Sequence, residues 1–338
     1  MHPEKRWVRS SSGLRWMTPL WVAAAFCMLL GGCESAGAPP VNQTVGNATD
    51  GFSMTRWSSL NGGMLGQAAV VGTGMQQRSG AYVNFIHVAA AAGRGNDIYL
   101  VDSARGTAFK AELALNSLTV LPALPWEVGT KLHVARDFTL YVLDPARQQV
   151  LHYARDGRLI NTIRDASALN QPVAMAVDEA RGIVMVADGL HNNVVAFHPT
   201  GRTSYLIVPH GLVERETIAI AGMAAADRDI YLVDGLGRRV LRMAGNGTVL
   251  DSFGEGDLLQ PKDIVVDRFG RVYVSDRGDS SLKVFVAGKM IAHIPVASLG
   301  AGGVQEISSL AIDDIFLYVA GGSSARVEVM RVNPPAGK

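Results

Sequence analysis

Six short apolar segments recur along this chain at nearly constant spacing, and they constrain its fold more than any other feature. Five of them (98–102, 140–144, 184–188, 230–234 and 272–276) end in aspartate, at Asp102, Asp144, Asp188, Asp234 and Asp276; a sixth, 317–321, ends in Gly321. The intervals are 42 to 46 residues. A fixed period of this length marks a repeat architecture in which one supersecondary unit recurs. Each copy has the same setting. About ten residues upstream lies another apolar segment, such as 175–177 or 264–266, and a third follows within about six residues, as at 194–195 and 240–241. Turn pairs come next (Asp156-Gly157, Asn246-Gly247), which favour tight hairpins because both residues tolerate positive φ. A fourth apolar stretch closes most units. The unit therefore reads as a four-stranded antiparallel meander. Such a sheet cannot bury both faces alone, but sheets arranged around an axis cover one another. The predicted fold is all-β, a six-bladed β-propeller of four-stranded antiparallel blades over 51–335, with an open solenoid as the alternative. The composition agrees, with 48% hydrophobic residues, 18% charged residues and 37 glycines.

The leading segments 171–178 (Gln171-Pro172-Val173-Ala174-Met175-Ala176-Val177-Asp178) and 260–267 (Gln260-Pro261-Lys262-Asp263-Ile264-Val265-Val266-Asp267) resemble the opening of an NHL repeat. Arg239-Val240 and Arg326-Val327 match the Arg-Val with which that family opens its third strand. The resemblance covers roughly residues 83–331 and implies a propeller. It says little about ligand, because the family includes scaffolds, sensors and some enzymes. The last unit shows three strands and stops at Asn333-Pro334-Pro335, so an N-terminal strand should close the ring. The expected strand is Ala68-Ala69-Val70-Val71.

The first 32 residues differ from the rest. Lys5, Arg6, Arg9 and Arg15 precede an apolar run from Leu20 to Leu30, too short to span a bilayer comfortably and of the right length for an export signal. Leu30-Gly31-Gly32-Cys33 then resembles the lipobox of bacterial lipoproteins, which implies cleavage before Cys33 and diacylglycerol on its thiol. The alternatives are an ordinary signal peptide with a chance cysteine, and a start at Met17. Cys27 lies in the signal, so the mature chain has no internal cysteine pair. Residues 33–50 read as a lipidated cysteine followed by a flexible tether. Glu34 leaves inner and outer membrane open; the expectation is the outer membrane, facing the periplasm, and a monomer. Net charge is +1 for the full chain, and the mature part carries 27 Lys and Arg against 29 Asp and Glu, so nothing calls for nucleic acid.

Candidate chemistry is sparse. The repeated aspartates suit a structural role, accepting backbone hydrogen bonds in the following turns, better than a metal ring. His87 and His133 are read as holding matching places in the first two inner strands, which raises an axial zinc or calcium site, but histidines packed between blades are the preferred reading. Asn84, Lys131, Gln171, Lys262, Asp263 and Glu306 are the candidates for the axial mouth. Trp57 and Trp126 serve either as partner anchors or as packing. No catalytic residue is assigned, and no cofactor beyond the lipid on Cys33. The reading is a membrane-tethered propeller that binds or scaffolds an envelope protein or polymer. The alternative is a metal-dependent lyase or lactone hydrolase with an axial active site.

Overall fold

The computed structural model describes residues 44–45, 52–72, 76–198, 200–212, 217–300 and 303–335. The expected signal segment 1–32, Cys33 and most of the tether 33–50 lie outside them. Within the segment expected to be a tether, the backbone of Thr44–Val45 pairs antiparallel with Met54–Leu60.

The described chain forms six antiparallel blades. Blade 1 contains Val88–Arg94, Asp97–Asp102, Thr107–Glu112 and Ser117–Val120, from inner to outer. Blade 2 starts with Lys131–Val134, blade 3 with Pro172–Asp178, blade 4 with Ile220–Ala226 and blade 5 with Pro261–Val266, each a four-stranded meander. Blade 6 takes Ile307–Ile312, Phe316–Gly321 and Arg326–Val332 from the carboxyl end and its outer strand from the amino end. The period-2 alternation of a strand explains the packing. In blade 3, Val184 and Val186 pack toward blade 2 with Leu143 and Val150, while Met185 and Ala187 pack toward blade 4 with Leu232 and Leu241. Every blade is apolar on both faces, as a sheet covered on both sides must be. Six such cores occur, one per pair of neighbours, including a core that joins blade 6 to blade 1 through Tyr318, Val327, Leu100 and Phe109. The ring is closed, not an open stack.

The closing strand is not the one expected. Met54–Leu60 pairs with Arg326–Val332, from Met54 opposite Val332 to Leu60 opposite Val327, and supplies the outer strand of blade 6. Ala69–Val70 instead pairs with Gln76–Gln77 in a separate two-stranded ribbon. The reason is exposure. An outermost strand needs few apolar anchors, and the closing strand, of sequence MTRWSSL, fully buries only Met54 and Leu60. The apolar look of 68–71 was therefore the wrong signal. The join is pinned by polar contacts: the buried Glu328 carboxylate accepts from Ser59 Oγ at 2.8 Å, and Asn333 Nδ2 donates to Ser53 Oγ at 2.9 Å. The chain then crosses to blade 1, where Gly62–Leu65 runs parallel to Ser117–Val120 and Tyr82–Asn84 lies outside it.

Candidate functional site

The repeated aspartates set the frame of one face. Each ends its blade's second strand and is fully buried. Asp188 accepts from the backbone N–H groups of Gln171 at 2.7 Å and His191 at 2.9 Å; Asp234 accepts from Ala219, Leu236 and Gly237; Asp276 accepts from Leu259, Gln260 and Gly278. Asp102 takes the same role in blade 1, whereas Asp144 in blade 2 accepts from the backbone N–H of Arg147 in the turn and from the side chains of Arg147 and Gln149. In blades 1, 3, 4 and 5 one carboxylate thus ties the lead-in of its blade's inner strand to the turn before the third strand, as its repetition implied. Burial alone would raise the Asp188 and Asp276 carboxyls, but the amide donors, with His191 and Lys283 respectively, outweigh it and hold them below the usual range.

The register from these aspartates aligns the inner strands of all six blades. One step along from the aspartate lie Ala90, Lys131, Ala174, Gly222, Asp263 and Ser309, opposite Val101, Leu143, Ala187, Val233, Ser275 and Ala320. Four of the six are small or lack a charge, and the other two face each other. Lys131 Nζ lies 2.8 Å from Asp263 Oδ2, joining blade 2 to blade 5 across the axis. Asp263 also accepts from the backbone N–H of Leu310 at 3.0 Å. Lys131 and Asp263 therefore meet from opposite blades one register step in from the repeat aspartates. Replacing Lys131 by Met is expected to cost about 3–5 kcal/mol, because it strands a buried carboxylate. Adding Asp263→Leu should recover most of that loss in denaturant titrations.

The two histidines do not share a register. His87 precedes Val88, which pairs with Asp102, whereas His133 pairs with Tyr141, four steps further along the second strand. That separates them by about 13 Å along the strand. His87 Nδ1 is 2.9 Å from Ser103 Oγ, and its ring lies against Gly322, where a Cβ would sit 2.8 Å from Nε2. His133 lies toward the opposite opening, its Nε2 3.0 Å from Glu179 Oε1. There Glu179 also accepts from the backbone of Arg136, and Arg94 pairs with Asp314 at 2.8 Å. Equal-looking neighbourhoods hid unequal distances to the repeat aspartate, 15 residues for His87 and 11 for His133. Among the described residues no three His, Cys, Asp or Glu side chains are grouped to hold a metal.

The other mouth candidates divide. Asn84 ends the outer strand of blade 1, and its carbonyl accepts from Arg105 Nε at 2.8 Å, far from the axis in the blade order. Gln171 is exposed at the lead-in to blade 3. Lys262 and Glu306 come together near the mouth with Arg277, which sequence reading missed; Arg277 pairs with Glu306. A cleft of about 360 Å³ opens there between blades 5 and 6, lined by Gln260, Arg277, Ser280, Glu306 and Ser323 among others. The same face carries large exposed apolar side chains: Ile86, Trp126, Val128, Leu190, Leu236 and Leu259. Leu190 and Leu236 each stand two residues after a repeat aspartate, in a turn where polar residues are usual, and that was a readable signal. Trp126 is half exposed over Gly106, and Trp57 is half exposed on the outer rim, packed against Phe316 at 5.4 Å.

No protein-family model matches the chain, and no curated protein matches it. Solved structures do. A structural-genomics protein of unknown function from Bacteroides thetaiotaomicron aligns with a TM-score of 0.59 and 14% identity, over 88% of this chain and 84% of that one. A gluconolactonase from Xanthomonas campestris aligns at 0.56 and 17%, over 88% and 96%. Virginiamycin B lyase from Staphylococcus aureus aligns at 0.54 and 8%, over 73% and 95%. At such identities the likeness concerns architecture alone, and together with the six interlocked cores it establishes this chain as a six-bladed β-propeller.

Proposed function

We propose that this propeller is a binding module of the bacterial cell envelope, docking another envelope protein through the face that carries the repeat aspartates. The observation behind the reading is the concentration of exposed apolar side chains there, with Val128, Leu190 and Leu236 at 74%, 61% and 62% exposure. Large apolar groups gathered around a polar opening are the usual mark of a protein interface. In this reading the NHL-like repeat supplies a rigid disc, Cys33 carries the lipid, and residues 34–50 give reach from an outer membrane into the periplasm. The alternative, a metal-dependent lyase or lactone hydrolase, draws on the names of two structural neighbours. It would need the axial space that Lys131 and Asp263 occupy.

The test is site-directed photo-crosslinking in intact envelopes. A probe placed beside Leu236 should yield one defined adduct. The double change Leu190→Asp and Leu236→Asp should abolish it without altering thermal unfolding, while Leu115→Asp on the opposite face should not. Cys33→Ser should remove fatty-acid labelling and release the protein from membranes. An adduct indifferent to the double change would defeat the docking reading, and unchanged labelling would defeat the tether.

A further inference from the structure

Five inner strands carry a β-bulge at the same register, between the residue facing the repeat-aspartate position and the next paired residue. The bulged residues are Ala89, Val173, Ala221, Lys262 and Ser308. A bulged residue leaves the ladder, and its side chain is re-aimed relative to its neighbours. Lys262 is the charged member of this set. It is partly buried, and the two carboxylates near it are each paired with another cation. Lys131 is already engaged with Asp263, and Arg277 with Glu306. These are the charged groups acting on Lys262: two cations and two carboxylates, with the carboxylates committed elsewhere. Among the described residues no carboxylate lies within ion-pair distance of the Lys262 ammonium. Burial, and then Arg277 and Lys131, push that ammonium below the usual lysine range, against the pull of Asp263 and Glu306. A half-desolvated cation without a counter-ion is costly unless a ligand completes it.

We propose that Lys262, at the mouth beside the blade 5–6 cleft, is a binding site for a carboxylate carried by an acidic peptide segment of the docked partner. The inference deepens the docking reading and rests on it. The setting favours a peptide over a sugar acid, because Leu259, three residues before Lys262 and exposed, offers an apolar contact that a hydroxyl-covered ring would leave unmatched. The carboxylate would accept from Lys262 Nζ, with Gln260 and Arg277 lining the cleft through which the segment leaves.

Calorimetry on the purified propeller tests this with the blocked peptide Ac-Leu-Asp-Glu-Leu-NH2, its Asn-Gln analogue, D-glucuronate and inorganic phosphate. The acidic peptide should bind the wild type and Lys262→Arg alike, and bind Lys262→Met about tenfold more weakly, the loss of roughly one charge-assisted contact. The Asn-Gln analogue should bind no better to the wild type than to Lys262→Met. Lysine side chains labelled by 13C dimethylation should show the Lys262 titration moving upward when the peptide is present. Equal binding by Lys262→Met overturns the proposal, as does binding of glucuronate or phosphate without the peptide. Should peptide binding fail while the adduct at Leu236 still depends on Leu190 and Leu236, this inference falls and the docking reading stands.

Discussion

Asp276→Ala is expected to destabilise the propeller by about 3–5 kcal/mol, the usual cost of removing one member of a buried ion pair. Its carboxylate is buried, lies 2.7 Å from Lys283 Nζ, and gathers the backbone N–H groups of Leu259, Gln260 and Gly278. Lys283 is itself buried, so the change leaves an ammonium with only Asp279 at 2.8 Å and the Asp257 carbonyl at 2.6 Å. Asp276→Asn should cost less, because the amide oxygen can still accept from the backbone. The dependence on acidity has a definite sign. The folded carboxyl is held below its ordinary value of about 3.9, so its contribution is fully present above that pH. It fades as pH falls through the lowered folded value. Urea titrations should therefore separate wild type from Asp276→Asn near neutrality, and the gap should close in strong acid. A gap that widened on acidification would show that the carboxylate is not the stabilising form.

A chain that begins at Asn61 should fold into a much less stable monomer. It lacks Met54–Leu60, which exposes the whole edge of Arg326–Val332 and removes Met54 from the core between blades 5 and 6. Loss of the Met54 side chain alone is worth about 2–5 kcal/mol. With the ladder gone as well, the midpoint of thermal unfolding should fall by roughly 10 °C or more. The bared strand is an apolar edge of the kind that pairs with other chains, so size-exclusion chromatography should show association. Supplying residues 44–60 as a separate peptide should restore a monomer in part. A truncated chain that stayed monomeric, with the wild-type midpoint, would mean that closure rests elsewhere.

What could be read from the sequence was local. Apart from the amino-terminal strands added to blades 6 and 1, the blades pair strands that are neighbours in the chain, so the repeat aspartates, the turn pairs and the apolar alternation each described one meander, and six in a row described the disc. The aspartates' structural duty was legible for the same reason, since Asp188 and its acceptor contacts span fewer than twenty residues. Contacts between distant segments were not legible. Lys131 meets Asp263 because two blades stand opposite each other, and neither strand states this alone. His87 and His133 looked equivalent until register from the aspartate separated them. Asn84 looked like a mouth residue because it shortly precedes an inner strand, yet the chain reaches that strand from the outer edge of the blade. The closing strand hid behind a polar sequence, since an outer strand owes little to apolar content.

The placement of that strand also decides how the disc would respond to tension. A pull arriving from the amino-terminal side meets Thr44–Val45 and then Met54–Leu60, on which it pairs, before any other strand of the ring, and beyond them Gly62–Leu65 grips the first blade. Mechanical work would be spent first on parting the two chain ends, with the other blades still intact. A disc held from that side would thus yield at its seam, and could reseal there once the pull relaxed.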